Sequence, residues 1–415
     1  MIFSTKALFI STAFLLLASG LFAQSAVNQV IIVSGGNFSD PADMVKIGAY
    51  TPDTKTYTFF DSLSGDFASG AIADANYVYL SVGYSGVDTK VFKYNLDNYE
   101  RLDSVVIPGV VRLAVHGDNL IATQGFGAAG AYLSIYDKND LTLKKSFPEV
   151  NMEARGIAVS GNKAYIGITG SWPDFTDTAT IAVIDLSTLM FTEMIYLDDS
   201  LKIVNELFAG NGNLYVQGEG GITGVYNIAT GSHTLVHTGG SNTFAFYDDE
   251  LYQAFDSGIG AYDVAAGTVQ EDIVSRNFYH ARLDTAGGLI YFTQSDFTTY
   301  GTLFVADRVT GVLLDSVEVG IAPEAIAIQY MQPTGIAEGI ITGIKLYPQP
   351  AADKLYIDMP GDATYYINDI TGRTVTAGDL ISGITELNVA AFPPGVYFLN
   401  IHAPGRIAVQ KFLMQ

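Results

Sequence analysis

The hexapeptide GFGAAG, Gly125 to Gly130, has the glycine spacing of a dinucleotide-binding loop and follows an apolar run, LIATQ, that reads as a strand. Such a loop holds a pyrophosphate only when its last glycines open a helix whose free N–H groups face the phosphates. Here Tyr132, Ser134 and Tyr136 alternate with Leu133 and Ile135, which is the period of a strand. The helix that dinucleotide chemistry needs is missing, and the glycines are expected to serve a tight backbone path at positive φ. Among the five histidines only His233 and His237 are close in sequence. Four residues apart on one strand face, they have no third ligand at a recognisable metal spacing. The Asp-rich loops SDPAD and FTDT lack the order of a calcium loop. No G-x-S-x-G elbow or H-E-x-x-H pair occurs. There is no cysteine, so a thiol nucleophile, a Cys-ligated metal, a disulfide and a lipid carried on an N-terminal Cys are excluded. No metal or cofactor is expected. An active site assembled from several repeats would leave no local motif, so an enzyme is not excluded on these grounds.

The chain has 415 residues, 48% hydrophobic and only 15% charged, enough to bury a large core and to form two or three domains. Its 43 acidic and 21 basic residues give a net charge of −22. That balance repels phosphate backbones and anionic lipid, so nucleic acid is not an expected partner. The 25 Tyr and 24 Phe favour pleated, half-buried surfaces. At the N-terminus Lys6 precedes ALFISTAFLLLASGLFA and then Gln24, the order of a secretory signal peptide over residues 1–23, with cleavage expected after Ala23. The apolar run falls short of the roughly 20 residues that span a bilayer, so no membrane span is expected in the mature protein.

The elements that position any site repeat. Between Asn28 and Met331 a small-apolar strand such as RGIAVSG leads through a turn to a second strand, NKAYIGITG, then to a third, TIAVIDLSTL, and a fourth, FTEMIYLD. The third recurs as VFKYNLDN, LSIYDKND, TGVYNIATG, GAYDVAAG and LFVADRVTG, each ending in Asp or Asn and a tight turn. The markers Asn95, Asp137, Asp185, Asn227, Asp263 and Asp307 lie 36 to 48 residues apart, the period of four-stranded propeller blades. A seventh blade is split: VNQVIIVSGG, MVKIGAYTPDTK and TYTFFDSL supply three strands and PEAIAIQYM supplies the innermost. This velcro closure removes open sheet edges. The expected fold is all-β: a seven-bladed β-propeller over residues 24–332, a Gly-rich linker over 333–345, and a small β-sandwich domain over 346–415. GFGAAG becomes the loop between the second and third strands of blade three.

In propellers, ligands commonly bind where loops gather at the channel mouth. The innermost strands begin at Gly70, Arg112, Arg155, Glu206, Asn242, Arg282 and Glu324, so three arginines and two carboxylates are expected to face one funnel. Nearby loops add Asn37, Phe38, Tyr84, Phe126, Trp172, Phe175, Tyr279 and His280. Trp172, beside Pro173, reads either as a stacking platform for a ring or sugar or as a plug on the blade edge. The arginines read either as ligand contacts or as structural pairs of Glu206 and Glu324.

The strand–turn–Asp/Asn repeat resembles the YncE-type seven-bladed propellers. The tail is similar, in order, to the C-terminal sorting domain of the Bacteroidetes type IX secretion system, through KLYPQPAADKLYIDMP, YYINDITGRTVTAG, ITELNVAAFPPGVYFLNI and VQKFLMQ. The matching positions include Tyr347, Pro348, Pro350, Asp369, Gly372, Arg373, Gly378, Pro394, Gly395, Tyr397, Lys411 and Phe412. Gln349 stands where Asn is usual, and the chain ends in Met-Gln rather than a basic residue. The resemblance implies the type IX machinery as a partner and a secreted or outer-surface location reached through the periplasm. Six Asp-Ser/Thr-apolar tripeptides, Asp103-Ser104-Val105 among them, resemble the O-glycosylation acceptors of Bacteroidetes envelope proteins. Two functions are carried forward. One is a binding propeller for a small molecule, glycan or protein. The other is a hydrolase or lactonase using Glu206, His280 and Glu324 as acid, base or metal groups.

Overall fold

The computed structural model describes residues 27–37, 39, 40, 42–65, 67–83, 89–128, 130–169, 178–331, 339, 340, 343–369, 374–403 and 406–415. The expected signal peptide, Phe38, Tyr84, Trp172, Phe175, Gly372 and Arg373 lie outside these residues, as does most of the Gly-rich linker. The chain forms two compact units that part between Met331 and Gln332.

The first unit carries seven four-stranded antiparallel sheets among the described residues, six of them built from consecutive strands. The seventh pairs Pro323–Tyr330 with Val27–Ser34, followed by Val45–Thr51 and Thr56–Leu63. Its register sets Val30 opposite Ile328, Ile31 opposite Ala327 and Ile32 opposite Ile326. The innermost strands, beginning at Pro323, Ala68, Val110, Ala154, Glu206, Ser241 and His280, each pack on the next, and the last returns to the first. The molecule is a seven-bladed β-propeller closed by a split blade.

Burial explains why the middle strands are so apolar. Tyr77–Val82, Asn119–Gln124, Lys163–Ile168 and Leu133–Asp137 are covered on both faces by neighbouring blades, whereas outer strands such as Arg101–Val106 are exposed. The alternation read in Leu133–Asp137 is therefore not an inside–outside alternation, because Ser134 and Tyr136 are buried too. All six marker residues form Asx turns, each Oδ1 accepting a backbone N–H two or three residues ahead: Asn95 from Asp97, Asp137 from Asn139, Asp185 from Ser187, Asn227 from Ala229, Asp263 from Ala266 and Asp307 from Thr310. These bonds lead the interactions that hold Asp137 and Asp307 below the usual carboxylate range.

Polar ties join the blades. The buried Tyr50 hydroxyl donates to Asp315 at 2.5 Å, Tyr94 to Asp61 at 2.8 Å and Tyr79 to the Lys138 carbonyl at 2.9 Å. Burial drives all three phenols well above their ordinary value, so they remain donors at any physiological pH. Nearer the axis, Thr123 Oγ1 donates to the Arg155 carbonyl and Thr293 Oγ1 to the Pro323 carbonyl, both at 2.9 Å. At the split blade Gln29 Nε2 donates to Gln329 Oε1 at 2.7 Å and Gln329 Nε2 to the Ala75 carbonyl at 2.6 Å, tying both chain segments to blade two.

The second unit packs a five-stranded sheet, in the order Gly339–Ile340, Arg406–Met414, Gly395–Ala403, Ala363–Asp369 and Thr374–Leu380, over a three-stranded sheet of Lys345–Tyr347, Lys354–Met359 and Gly383–Asn388. Leu355, Ile357, Ile367, Leu399, Ile401 and Phe412 form its buried core. Tyr397 stacks on Phe412 at 5.6 Å and donates its hydroxyl to the Pro393 carbonyl at 2.8 Å. Gly378 packs against the Tyr365 ring, where a Cβ would come within 2.9 Å. Pro348 and Pro350 lie in the turn after Lys345–Tyr347, Asp369 ends a strand opposite Tyr397, and Lys411 is exposed. Gln349, the departure from the usual Asn, accepts the Leu413 N–H at 3.2 Å.

Candidate ligand-binding funnel

The innermost strands do not run regularly into the channel mouth. Their pairing with the second strand shifts between Ala68 and Gly70, Val110 and Arg112, Ala154 and Ile157, and Ser241 and Ala245, and around Glu324. Such bulges re-aim side chains at the end of a strand. Glu206 and Arg282 instead sit on regular pairs, opposite Gln217 and Tyr291. Asn242 takes a positive φ of 44° within its irregular stretch.

The result is a cavity of about 1450 Å³ to which all seven blades contribute, lined by Arg112, Arg155, Glu206, Asn242, Tyr279, His280, Arg282 and Glu324. Every described residue that the sequence pattern marked for the ligand site except Asn37 and Gly70 is on its wall. The wall also holds Glu153, Asn205, Phe244 and Phe278, which the repeat pattern did not mark. Glu153 precedes the strand Ala154–Ser160, so no strand periodicity pointed to it. GFGAAG forms part of the rim through Gly125, Phe126, Gly127 and Ala128, with Phe126 71% exposed. Gly127 and Gly130 have the anticipated positive φ, 97° and 83°. Gly125 sits in a tight place instead, because a Cβ there would lie 3.0 Å from the Val111 side chain and 3.1 Å from that of Glu153.

The charges are mostly paired. Arg112 Nε donates to Glu206 Oε1 at 2.8 Å, Arg112 Nη2 reaches the same oxygen, and Nη1 donates to the Val111 carbonyl at 3.0 Å. The Glu206 charge pushes the Arg112 guanidinium above its ordinary value. Arg155 Nε donates to Glu153 at 2.8 Å, so its carboxylate comes from the preceding loop rather than from Glu206 or Glu324. Glu324, 8% exposed, accepts the Ala68 N–H at 2.7 Å. Arg282 forms no ion pair with a described residue and makes one long bond, 3.5 Å, to the Ala281 carbonyl. Burial lowers its guanidinium from the ordinary value, offset by Glu206 and reinforced by Arg112. His280 Nε2 is buried without a hydrogen-bond partner. Burial, then the Arg282 and Arg112 charges, hold this imidazole well below its usual value, so it is neutral at pH 7. Phe278 meets Phe244 edge-on at 5.4 Å and Tyr279 meets Phe297 edge-on at 4.8 Å. Among the described residues no three metal-ligating side chains converge. His233 and His237 are exposed on an outer strand of blade five.

Gly156 holds two of these walls together. A Cβ there would lie 2.7 Å from the Leu207 nitrogen and 2.9 Å from the Glu206 carbonyl carbon. Backbone cannot yield as a flexible side chain does, so Gly156→Ala is expected to destabilise the propeller by about 1–3 kcal/mol. Calorimetry of this variant checks the contact: an unchanged melting temperature would contradict it.

Comparison with known proteins assigns the second unit. Residues 345–415 match the family described as the secretion system C-terminal sorting domain. This tail is a type IX sorting domain. Its presence supports export of the protein to the cell exterior or surface by that system. For the rest of the chain the comparisons give the fold. A putative 6-phosphogluconolactonase from Bacteroides fragilis is 14% identical with a TM-score of 0.52, over 74% of this chain and 98% of that one. A second, from Bacteroides uniformis, is 14% identical with a TM-score of 0.52, over 72% and 99%. No curated protein matches the sequence.

Proposed function

We propose that the propeller is a secreted or surface-displayed binding protein, delivered through the periplasm by its sorting domain, which holds a small molecule, glycan or protein ligand at the channel mouth. The observation that carries this reading is the funnel itself: large, concave, open to solvent, and lined by a few oriented polar groups among aromatic rings, as ligand sites generally are. The hydrolase reading has less support. Both similar Bacteroides structures are of proteins described as putative 6-phosphogluconolactonases, but at 14% identity they speak for the fold alone. In this funnel Glu206 and Glu153 are held by arginines and Glu324 by a backbone N–H, so each carboxylate that could serve as a base is already engaged.

The test is a native mass spectrum of the protein isolated from its own culture, alongside Arg155→Ala. The Arg155–Glu153 pair is partly solvated, with Arg155 33% accessible. Its loss is expected to cost about 0–1 kcal/mol of stability, whereas a charge-assisted ligand contact is worth about ten- to a hundredfold in affinity. The expected result is a retained ligand that Arg155→Ala loses while its melting temperature stays nearly constant. Loss of stability with the ligand kept would remove Arg155 from the site.

A further inference from the structure

We infer that Arg282 and His280 form the seat for a ligand bearing a single carboxylate on a ring, an inference that rests on the funnel being a binding site. Three guanidinium and three carboxylate groups line the cavity: Arg112, Arg155, Arg282, Glu153, Glu206 and Glu324. Two arginines are engaged by Glu206 and Glu153, and Glu324 bonds to blade two through Ala68. Arg282 is the guanidinium of this set that has no carboxylate within ion-pair distance among the described residues, and its bond to the Ala281 carbonyl leaves most of its donors unused. A guanidinium presents a rigid fork that fits a carboxylate through two parallel bonds. Two residues before it, His280 Nε2 is buried with no partner. An unmade bond of this kind is costly in the empty site and is recovered when a ligand oxygen arrives. With its proton on Nε2 the neutral ring supplies a third donor.

The three guanidinium and three carboxylate groups of the wall sum to zero, so the seat offers one guanidinium fork outside an ion pair and no surplus positive charge. A dianion such as hydrogen phosphate would bring a second negative charge to face Glu206 and Glu324 in a protein of net charge −22, which favours a monoanion. Phe278 and Tyr279 immediately precede His280, and Phe244, from the neighbouring blade, meets Phe278 edge-on. They offer ring faces and edges for the ligand's body. Aromatic acids and uronic acids share this chemistry.

Chloride NMR of the full mature chain tests the seat with chloride itself as the probe, because transient occupancy of an unmatched cationic site broadens the 35Cl line. We expect excess broadening in the wild type that is removed by Arg282→Gln. Benzoate or glucuronate should displace the chloride at lower concentration than phosphate does, and whichever acts first distinguishes an aromatic from a sugar acid. Arg282→Lys keeps the charge but not the fork, so it should retain chloride broadening while carboxylate displacement weakens about tenfold; this variant serves if Arg282→Gln fails to fold. Equal broadening in wild type and Arg282→Gln, or phosphate displacing best, would overturn the proposal. If a neutral ligand is then found by native mass spectrometry in both proteins, the binding reading survives and only the carboxylate assignment falls. If neither chloride nor any ligand is held, both fall.

Discussion

Deleting residues 323–331 is expected to abolish the propeller's cooperative melting transition and to leave the protein aggregated. The strand Pro323–Tyr330 is the innermost strand of a blade whose other three strands lie about 300 residues earlier. Its Ala325, Ile326 and Ala327 are at most 2% exposed, and fully burying one isoleucine contributes about 1.5–3 kcal/mol. The deletion also removes the Gln329 bonds to Gln29 and Ala75 and the Glu324 bond to Ala68. The innermost strands Ala68–Ala73 and His280–Asp284 of the two flanking blades then lose the strand that each packs against. Val27–Ser34, apolar and 8 residues long, becomes an unpaired edge, the template on which chains associate. A whole domain is stable by only about 5–15 kcal/mol, so these losses fall within reach of its entire stability. Light scattering and calorimetry on the deleted protein check this. A monomer with an unchanged transition would show that the ring is closed some other way.

The blades were legible because their signals are local. An Asp or Asn at the end of the third strand announces itself through a turn it stabilises with its own side chain, as Asp307 does with the Thr310 N–H at 2.7 Å. The doubly covered strands announce themselves as unbroken apolar runs. The Gln29–Gln329 clasp was not legible, since nothing near either glutamine signals a partner 300 residues away. The same holds for the hydroxyl of Tyr94 on Asp61 and that of Tyr50 on Asp315. These bonds are specified by the ring, which exists only after the blades have assembled.

The funnel divides in the same way. Counting repeats placed Arg112, Arg155, Glu206, Asn242, Arg282 and Glu324 around one axis, because equivalent positions in a closed ring face inward together. Which arginine meets which carboxylate was not legible. Glu206 crosses to Arg112 rather than to Arg155 of the adjoining blade, and Arg155 turns to Glu153. Those choices depend on the bulge between Ala154 and Ile157 and on the regular pair at Glu206, and bulges leave no consistent mark in sequence. The consequence that matters for ligand chemistry, an Arg282 with no ion pair among the described residues, follows from those pairings.

Removing residues 345–415 is expected to abolish appearance of the protein outside the cell while leaving the propeller folded. The tail has a core of its own, built on Leu355, Ile357, Ile367, Leu399, Ile401 and Phe412, and the seven blades complete their hydrogen bonding by Tyr330. Two units of this kind fold separately, so the propeller's melting transition should be the same with and without the tail. Its address should not survive, because the sorting domain is the segment that supports recognition by the type IX system. The decisive measurement is fractionation of a type IX-competent host expressing the full chain and the truncated chain, with the propeller quantified in cell envelope, periplasm and medium, and its fold checked by calorimetry. Full-length protein is expected at the surface or in the medium, and truncated protein is expected to be folded but confined to the periplasm. Folded, truncated propeller reaching the exterior as efficiently as the full chain would contradict it.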